Sequence, residues 1–249
     1  MLLNNISPLI GDSHITCRAR NSVNNPPYWQ VTIVDTCNFG REGLRLAIHQ
    51  HFLLSGYVEV MVATSKGLPR LAIMMGEKSN STGQRCLVLR LPVSPSEALL
   101  LLLELGMLPA GYYNRVVVVS AVSSTILRKI LISTGLTGQI CLVSDHLPLS
   151  TLCRTIVPGK WESMIAMRGQ DEVLVHQSHR QFTPAERRVL VQTLQGVPTR
   201  EQARQAGVRI KTIYTQRANG LHKLQVRDIQ TLQRQFCSVK NSMTAGNPE

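Results

Sequence analysis

Aromatic side chains are scarce in this chain of 249 residues. Phe, Trp and Tyr make up only 4% of it, so a folded core must be built mainly from aliphatic residues. Hydrophobic residues account for 43% and charged residues for 17%, a balance that is typical of globular domains and unlike that of disordered chains. A chain of this length holds one large domain or two of ordinary size, and we expect two.

Regular cysteine spacing and long apolar runs are also missing. The six cysteines form no Cys-x-x-Cys pair and no Cys/His ligand spacing, which argues against a metal site or a disulfide framework and favours reduced thiols. The most apolar stretch, ALLLLLELGML at 98–108, includes Glu104 and is far shorter than the roughly 20 residues that span a bilayer. The N-terminal segment lacks the pattern of a signal peptide. We therefore expect a cytoplasmic protein with no metal and no membrane association.

Five short β-branched apolar runs alternate with segments of helical length. The runs are QVTIVD (30–35), YVEVMVA (57–63), RCLVLRL (85–91), RVVVVS (115–120) and QICLVS (139–144). Continuous apolar strands separated by helices are typical of a parallel sheet that is covered on both faces. The sequence therefore predicts a doubly wound, flavodoxin-like α/β domain with strand order 2-1-3-4-5, in which ligands bind beyond the carboxyl ends of the strands.

The last quarter of the chain changes to short helical segments. Thr183 and Glu186 have the spacing of a capping box, which begins a helix that we expect to end at Gly196. Thr199 is expected to cap a second helix, REQARQAG. A third helix follows from about Ile210 to Leu224, and RDIQTLQRQF forms a fourth.

A short helix, a tight turn at Gly207 and a longer helix form the helix-turn-helix pattern, whose second helix enters the major groove of DNA. Ile213, Leu221 and Leu224 recur near helical spacing, which assigns them to the packed side. The opposite side carries groups suited to base edges. These groups are Lys211, Tyr214, Thr215, Ala218 and His222.

The charge of the chain is concentrated in the same region. Residues 181–240 contain 11 Lys and Arg against three Asp and Glu, which gives +8 of the total +12. This excess favours a polyanionic partner, and DNA is the natural candidate, with an acidic membrane surface or an acidic protein as alternatives. An ordinary helical bundle with a solvated basic face would show the same charge.

The segment from Phe182 to Val226 resembles the LuxR/FixJ-type (GerE-like) helix-turn-helix family of transcriptional regulators. The matching residues are Phe182-Thr183, Glu186, Val189-Leu190, Gly196, Lys211-Thr212-Ile213, Lys223-Leu224 and Val226. The stretch IKTIYTQR is most similar to the RcsB/BglJ branch of enterobacterial regulators. Two departures from the pattern are Gln202-Ala203 in place of Ile-Ala and Gly220 within the third helix, where glycine costs about 1 kcal/mol relative to alanine.

The resemblance implies a set of DNA-binding residues. Tyr214, Thr215 and Ala218 are implied to face the bases. Lys211, Arg217 and Lys223 are candidates for contact with the DNA backbone. The full set is Lys211, Thr212, Tyr214, Thr215, Arg217, Ala218, His222 and Lys223.

The resemblance further implies that the α/β domain is a receiver. Receiver chemistry needs an acidic pair after strand 1, an Asp after strand 3, a Ser or Thr after strand 4 and a Lys after strand 5, because these groups bind Mg²⁺ and a phosphoryl group. This sequence keeps Asp35 and Ser120, has no carboxylate near Arg90, and has Ser144 nearest the lysine position. We therefore expect a degenerate receiver-like domain that lacks a phosphoryl acceptor. If Arg90 projects into the phosphoacceptor pocket of the receiver-like domain, its guanidinium would pair with Asp35. This pair would mimic the charge neutralisation that phosphate and metal provide in a receiver.

These readings divide the chain into five parts. They are a flexible N-terminal arm (1–28), a degenerate receiver-like domain (29–158), a linker (159–180), a helix-turn-helix domain (181–240) and a disordered tail (241–249). The leucine-rich segment at 96–108 allows two interpretations, since it either exposes leucines for association or is a helix buried in a thick core.

The function that these features favour is a DNA-binding transcriptional regulator, an activator, that acts without a cofactor and without receiver phosphorylation. We expect a homodimer or a heterodimer with an RcsB-type response regulator, and RNA polymerase is a further candidate partner. The alternative is an interaction protein that sequesters or modifies another RcsB-type regulator without reading DNA, with Gly220 having weakened its own DNA contact. An enzyme is disfavoured, because Asp145-His146 and Ser123-Ser124 stand outside any catalytic motif, and a small-ligand sensor does not fit the βα pattern.

Overall fold

The computed structural model describes residues 28–52, 57–64, 83–108, 111–136, 138–158 and 181–237. The predicted linker and tail, and all of the predicted arm except its last residue, lie outside the described residues. The described part consists of a parallel α/β unit followed by four helices. No helix in these ranges combines the length and the apolar character needed to cross a membrane.

In the part of the chain that the structure describes, five strands form the sheet of the α/β unit. They are β1 (Trp29–Val34), β2 (Val58–Ala63), β3 (Gln84–Arg90), β4 (Arg115–Val119) and β5 (Gln139–Val143). Their order is β2-β1-β3-β4-β5, and every neighbouring pair is parallel. The predicted fold and strand order are confirmed, and each predicted boundary lies within one residue of the observed one. Continuous apolar runs form the strands because both faces of the sheet are covered.

Within the described ranges, four helices cover the two faces of the sheet. They are α1 (Asn38–His51), α2 (Pro95–Leu105), α3 (Ser124–Thr134) and α4 (Leu149–Ile156). Alternate residues of one strand face opposite cores, since Val88 packs in the cluster of α1 and α4, whereas Leu87 and Leu89 pack in the cluster of α2 and α3. The sheet therefore separates two hydrophobic cores.

Four more helices form the C-terminal unit. They are α5 (Pro184–Leu194), α6 (Thr199–Ala206), α7 (Ile210–Lys223) and α8 (Ile229–Cys237). The predicted capping box of Thr183 and Glu186 is present, and Gly196 has the positive φ of 76° that suits a glycine after a helix. The prediction for Thr199 was wrong, because Pro198 is the N-cap of α6 and Thr199 is already its first helical residue.

Helix α2 is buried along most of its length. Its buried residues are Ala98, Leu99, Leu101, Leu102, Leu103 and Leu105. They share one hydrophobic cluster with β3 on one side and with Leu190, Leu221 and Leu224 of the C-terminal unit on the other. A helix that packs against the sheet on one side and against other helices on the other needs apolar residues around most of its circumference. The interpretation of this segment as a buried helix is therefore confirmed.

Polar contacts accompany this docking of the C-terminal unit. The Arg187 guanidinium donates to the carbonyl of Gly106 and, over 2.9 Å, to that of Thr134. Both carbonyls stand at helix C-termini, where a cation is stabilised by the helix dipole. In addition, Gln233 Nε2 donates to Ser96 Oγ over 2.7 Å. The two units thus meet through apolar packing and through specific hydrogen bonds.

Candidate nucleic-acid interface

The turn between α6 and α7 is set by Gly207. This residue ends α6 in the left-handed conformation with φ of 63°, which favours glycine. Helix α7 then packs onto α5 and α6 through Ile213, which contacts Val189 and Ala203 in a small core. The predicted packed side of the third helix is therefore observed, and its opposite side faces solvent.

Gly220 has a packing role within α7. A Cβ atom at this position would stand 2.9 Å from Leu190 Cδ1, closer than such atoms normally approach, and Leu190 is itself buried. The absence of a side chain allows α7 to lie close to α5. The sequence alone presented Gly220 as a weak point of the helix, whereas the structure gives it a steric reason.

Most of the predicted DNA-binding residues lie on one exposed side of α7. Tyr214 is 52% exposed, and the Arg217 guanidinium carbon lies 4.9 Å from the centre of its ring, a cation–π arrangement that orients both side chains. Thr212 and Arg217 are partly buried. The exposed members are Lys211, Tyr214, Thr215, Ala218 and His222.

Lys223 is placed differently from the other predicted residues. Its ammonium group lies 2.6 Å from Glu186 Oε2 and 2.8 Å from the carbonyl oxygen of Gln181, and its side chain is 23% exposed. Lys223 therefore ties α7 to the start of α5, and it is not among the residues that we propose for contact with DNA.

The Glu186 carboxylate stabilises the same junction. It accepts hydrogen bonds from the Thr183 amide over 2.8 Å and from Lys223. Burial on its own would raise the pKa of Glu186, but the hydrogen bonds from Lys223 and Thr183 and the charge of Lys223 together lower it below its ordinary value. The carboxylate is thus held in its ionised form.

We expect this junction to make stability depend on pH. Because the folded-state pKa of Glu186 is lowered, its contribution is present above the unfolded value of about 4.3 and is lost as the pH falls through the folded-state value. Urea denaturation of Glu186→Gln should show a loss of about 1–3 kcal/mol at neutral pH and a smaller loss near pH 3. A loss that is equal at both pH values would contradict the assignment.

Two arginines near the helix-turn-helix were missed by the sequence reasoning. Arg200 lies in the first turn of α6 and Arg209 is the N-cap residue of α7, and both are exposed. Among the described ion pairs, neither has a carboxylate partner, whereas Arg204 is paired with Glu201 at 2.7 Å. A search for cations flanking the turn, and not only on the third helix, would have found them.

The predicted pairing of Arg90 with Asp35 is present. Asp35, at the end of β1, is 5% exposed and accepts a 2.8 Å hydrogen bond from the Cys37 amide. Arg90 Nη1, at the end of β3, lies 3.4 Å from Asp35 Oδ2. A Cβ atom on Gly40 would stand 2.3 Å from that oxygen, so this close approach of α1 needs glycine.

The two predicted serines have local partners in turns. Ser120 Oγ accepts from the Val122 amide over 2.9 Å, and Ser144 Oγ accepts from the His146 amide over 3.2 Å. Such side-chain contacts two residues ahead are typical of serine in turns. The structure therefore accounts for both serines through the loops that follow β4 and β5.

The fold and the surface define a two-part chain, a five-stranded parallel α/β unit followed by a helix-turn-helix unit. The sequence matches no family model and none of the curated proteins.

Several solved response regulators are similar to this chain. RcsB from Salmonella enterica serovar Typhimurium, bound to promoter rprA with the phosphomimetic BeF3-, is 19% identical over 84% of this chain and 98% of that one, with a TM-score of 0.42. A complex of the two-component response regulator RcsB with DNA is 18% identical over 85% and 100%, with a TM-score of 0.41. The response regulator StyR is 20% identical over 84% and 98%, with a TM-score of 0.31.

Proposed function

We propose that this chain is a DNA-binding transcriptional regulator whose helix α7 enters the major groove. The observation that carries the proposal is the exposed side of α7, which presents Lys211, Tyr214 and Thr215 on a helix anchored by Ile213. Polar and methyl groups on such a helix suit base edges, and cations beside them suit phosphates.

We assign different roles in DNA binding to the residues of this surface. Thr215 and Ala218 offer methyl groups for a thymine, and the Thr215 hydroxyl already donates to the Lys211 carbonyl over 3.1 Å. Lys211 and Arg217, together with Arg200 and Arg209 around the turn, are assigned to phosphates. Phosphate contacts fix the register of the helix on DNA, and base contacts give specificity.

We infer that the regulator acts independently of receiver phosphorylation. The last residue of β3 is Arg90, and its guanidinium lies against Asp35, which would otherwise hold a metal ion. The activity of the regulator is then controlled by its own abundance, by dimerisation or by a partner regulator. Exposed Phe39 and Leu46, which are seven residues apart on α1 and are 90% and 51% exposed, lie near one face and support a protein contact there.

Loss of the pocket arginine is expected to affect control more than folding. Arg90→Ala removes an arginine that is 49% exposed, and the buried Asp35 keeps its hydrogen bond from the Cys37 amide, so we expect a loss of only about 1–2 kcal/mol in urea denaturation. The same variant should change dimerisation in sedimentation analysis or activity in a promoter assay. A variant that is unaltered in both functional measurements would remove the role given to this pair.

The proposed function is tested by selection of DNA from a random pool with the full chain. Specific binding predicts enrichment of one short sequence, with an affinity that falls steeply as salt is raised because counterions are released. Enrichment that occurs only with an RcsB-type regulator would make this chain an auxiliary subunit. No enrichment in either case, together with a stable complex between the two proteins, would favour the sequestering function.

A further inference from the structure

Two large hydrophobic side chains are exposed in the described part of the C-terminal unit, and both belong to α7. They are Ile210, which is 41% exposed, and Tyr214, which is 52% exposed. Single exposed hydrophobic residues are common on protein surfaces, whereas neighbouring ones indicate a contact surface. Ile210 was not among the residues that the sequence predicted for DNA contact.

Ile210 and Tyr214 lie side by side on the helix. They are four residues apart, and residues with this spacing are neighbours on one side of an α-helix. Ala218, which is exposed as well, continues the same row by a further four residues. Ile210 is the first residue of α7 and therefore stands at the N-terminal end of this row. The N-terminal residues of a recognition helix are those that contact base edges.

The surroundings of this apolar pair are cationic. Arg209, the N-cap residue, and Lys211 flank Ile210 in the chain, and both are exposed. The Arg217 guanidinium carbon lies 4.9 Å from the centre of the Tyr214 ring, and the first turn of α7 contains no acidic residue. Cations around an apolar pair suit a duplex that offers an apolar group between its phosphates. In the major groove, that group is the 5-methyl group of thymine.

We propose that Ile210 is a specificity-determining residue that contacts the 5-methyl group of a thymine, with the ring of Tyr214 as the second side of the contact. This inference rests on the proposed function and deepens it, since it names one base that α7 reads. The β-branch of Ile210 restricts its rotamers, so little conformational freedom is lost on contact. Cytosine at the same position would bring an amino group against apolar atoms, which is unfavourable.

The test compares thymine with uracil, which differs from it only by the absence of the 5-methyl group. The full chain first selects a DNA sequence from a random pool, and each thymine of that sequence is then replaced singly by deoxyuridine. At the position that Ile210 contacts, loss of the methyl group should weaken binding about fourfold. Fluorescence anisotropy measures the affinity for each fragment.

The variant Ile210→Ala identifies the thymine concerned. It should bind the unmodified DNA about fourfold more weakly or worse, and uracil at that one position should then cost less than about 1.5-fold, because the contact has already been lost. Leu149→Ala, which truncates an exposed leucine of α4, should keep the full effect of uracil. Because Ile210 is an exposed residue in the first turn of α7, its variant should unfold at nearly the same urea concentration as the unaltered chain.

The outcomes distinguish this contact from DNA binding as a whole. A pool from which no sequence is enriched, either alone or with an RcsB-type regulator, would overturn DNA binding and this contact with it. An enriched sequence in which no thymine shows an effect of uracil would overturn the role of Ile210 and leave DNA binding intact. The same conclusion would follow if every effect of uracil were as large in Ile210→Ala as in the unaltered chain.

Discussion

Replacement of both Lys211 and Arg217 by alanine is expected to weaken DNA binding by at least about 100-fold at moderate salt. Each cation contributes roughly 1.5–3 kcal/mol through a charge-assisted hydrogen bond to phosphate, and each factor of ten corresponds to about 1.4 kcal/mol. The slope of log affinity against log salt should also fall by about two, one for each lost phosphate contact. Fluorescence anisotropy on a selected DNA fragment over a range of salt concentrations measures both quantities.

A matched control separates this local effect from the general charge of the protein. Lys129→Ala removes one exposed cation from α3 of the α/β unit, so it should leave both the affinity and the salt slope almost unchanged. Neither Lys211 nor Arg217 packs in a hydrophobic core, and we expect the double variant to unfold at nearly the same urea concentration. If the double variant and the control bind DNA equally well, α7 does not form the interface.

The sequence predicted the α/β unit well because its signals are local. An uninterrupted β-branched run such as RVVVVS occurs where both faces of a strand are buried, and the alternation with helical segments then leaves few topologies. The end of each strand also predicted that Asp35 and Arg90 would lie at one edge of the sheet. Their contact could thus be anticipated from two strand boundaries without knowledge of any side-chain conformation.

The roles of Lys223 and Gly220 could not be predicted from the sequence. Helical periodicity places a residue relative to its own helix, but it does not show which neighbouring helix lies on each side. Lys223 pairs with Glu186, which is 37 residues away, and Gly220 contacts Leu190 across the same junction. Both roles depend on the crossing of α5 and α7, and this crossing is a property of tertiary packing.

The packing role of Gly220 bears on the choice between a DNA-binding regulator and a sequestering protein. The sequestering protein was attractive because a glycine within the third helix weakens that helix, and a weak helix would read DNA poorly. Gly220 is buried against Leu190 of α5, so α5 supports α7 at the position where its own helix propensity is low. The exposed side of α7 is therefore held on a packed scaffold, as a groove-binding helix requires.

The largest effect on stability is expected from Leu102→Ala in α2. Leu102 is fully buried in the cluster that joins the sheet to the C-terminal unit, and truncation of such a leucine typically costs about 2–5 kcal/mol because it leaves a cavity. Urea denaturation followed by circular dichroism measures the loss. The expected loss follows from the burial of α2 between the sheet and the C-terminal unit. The leucine-rich sequence was compatible with this burial but did not require it.

Leu149→Ala provides the comparison, since Leu149 is an exposed leucine of α4 and its truncation should change stability by no more than about 0.5 kcal/mol. If the leucines of α2 instead served association, Leu102→Ala would leave the unfolding of the monomer unchanged and would weaken self-association. That result would contradict the buried core. A large loss of stability that is independent of protein concentration would instead mean that α2 holds the two units of the chain together.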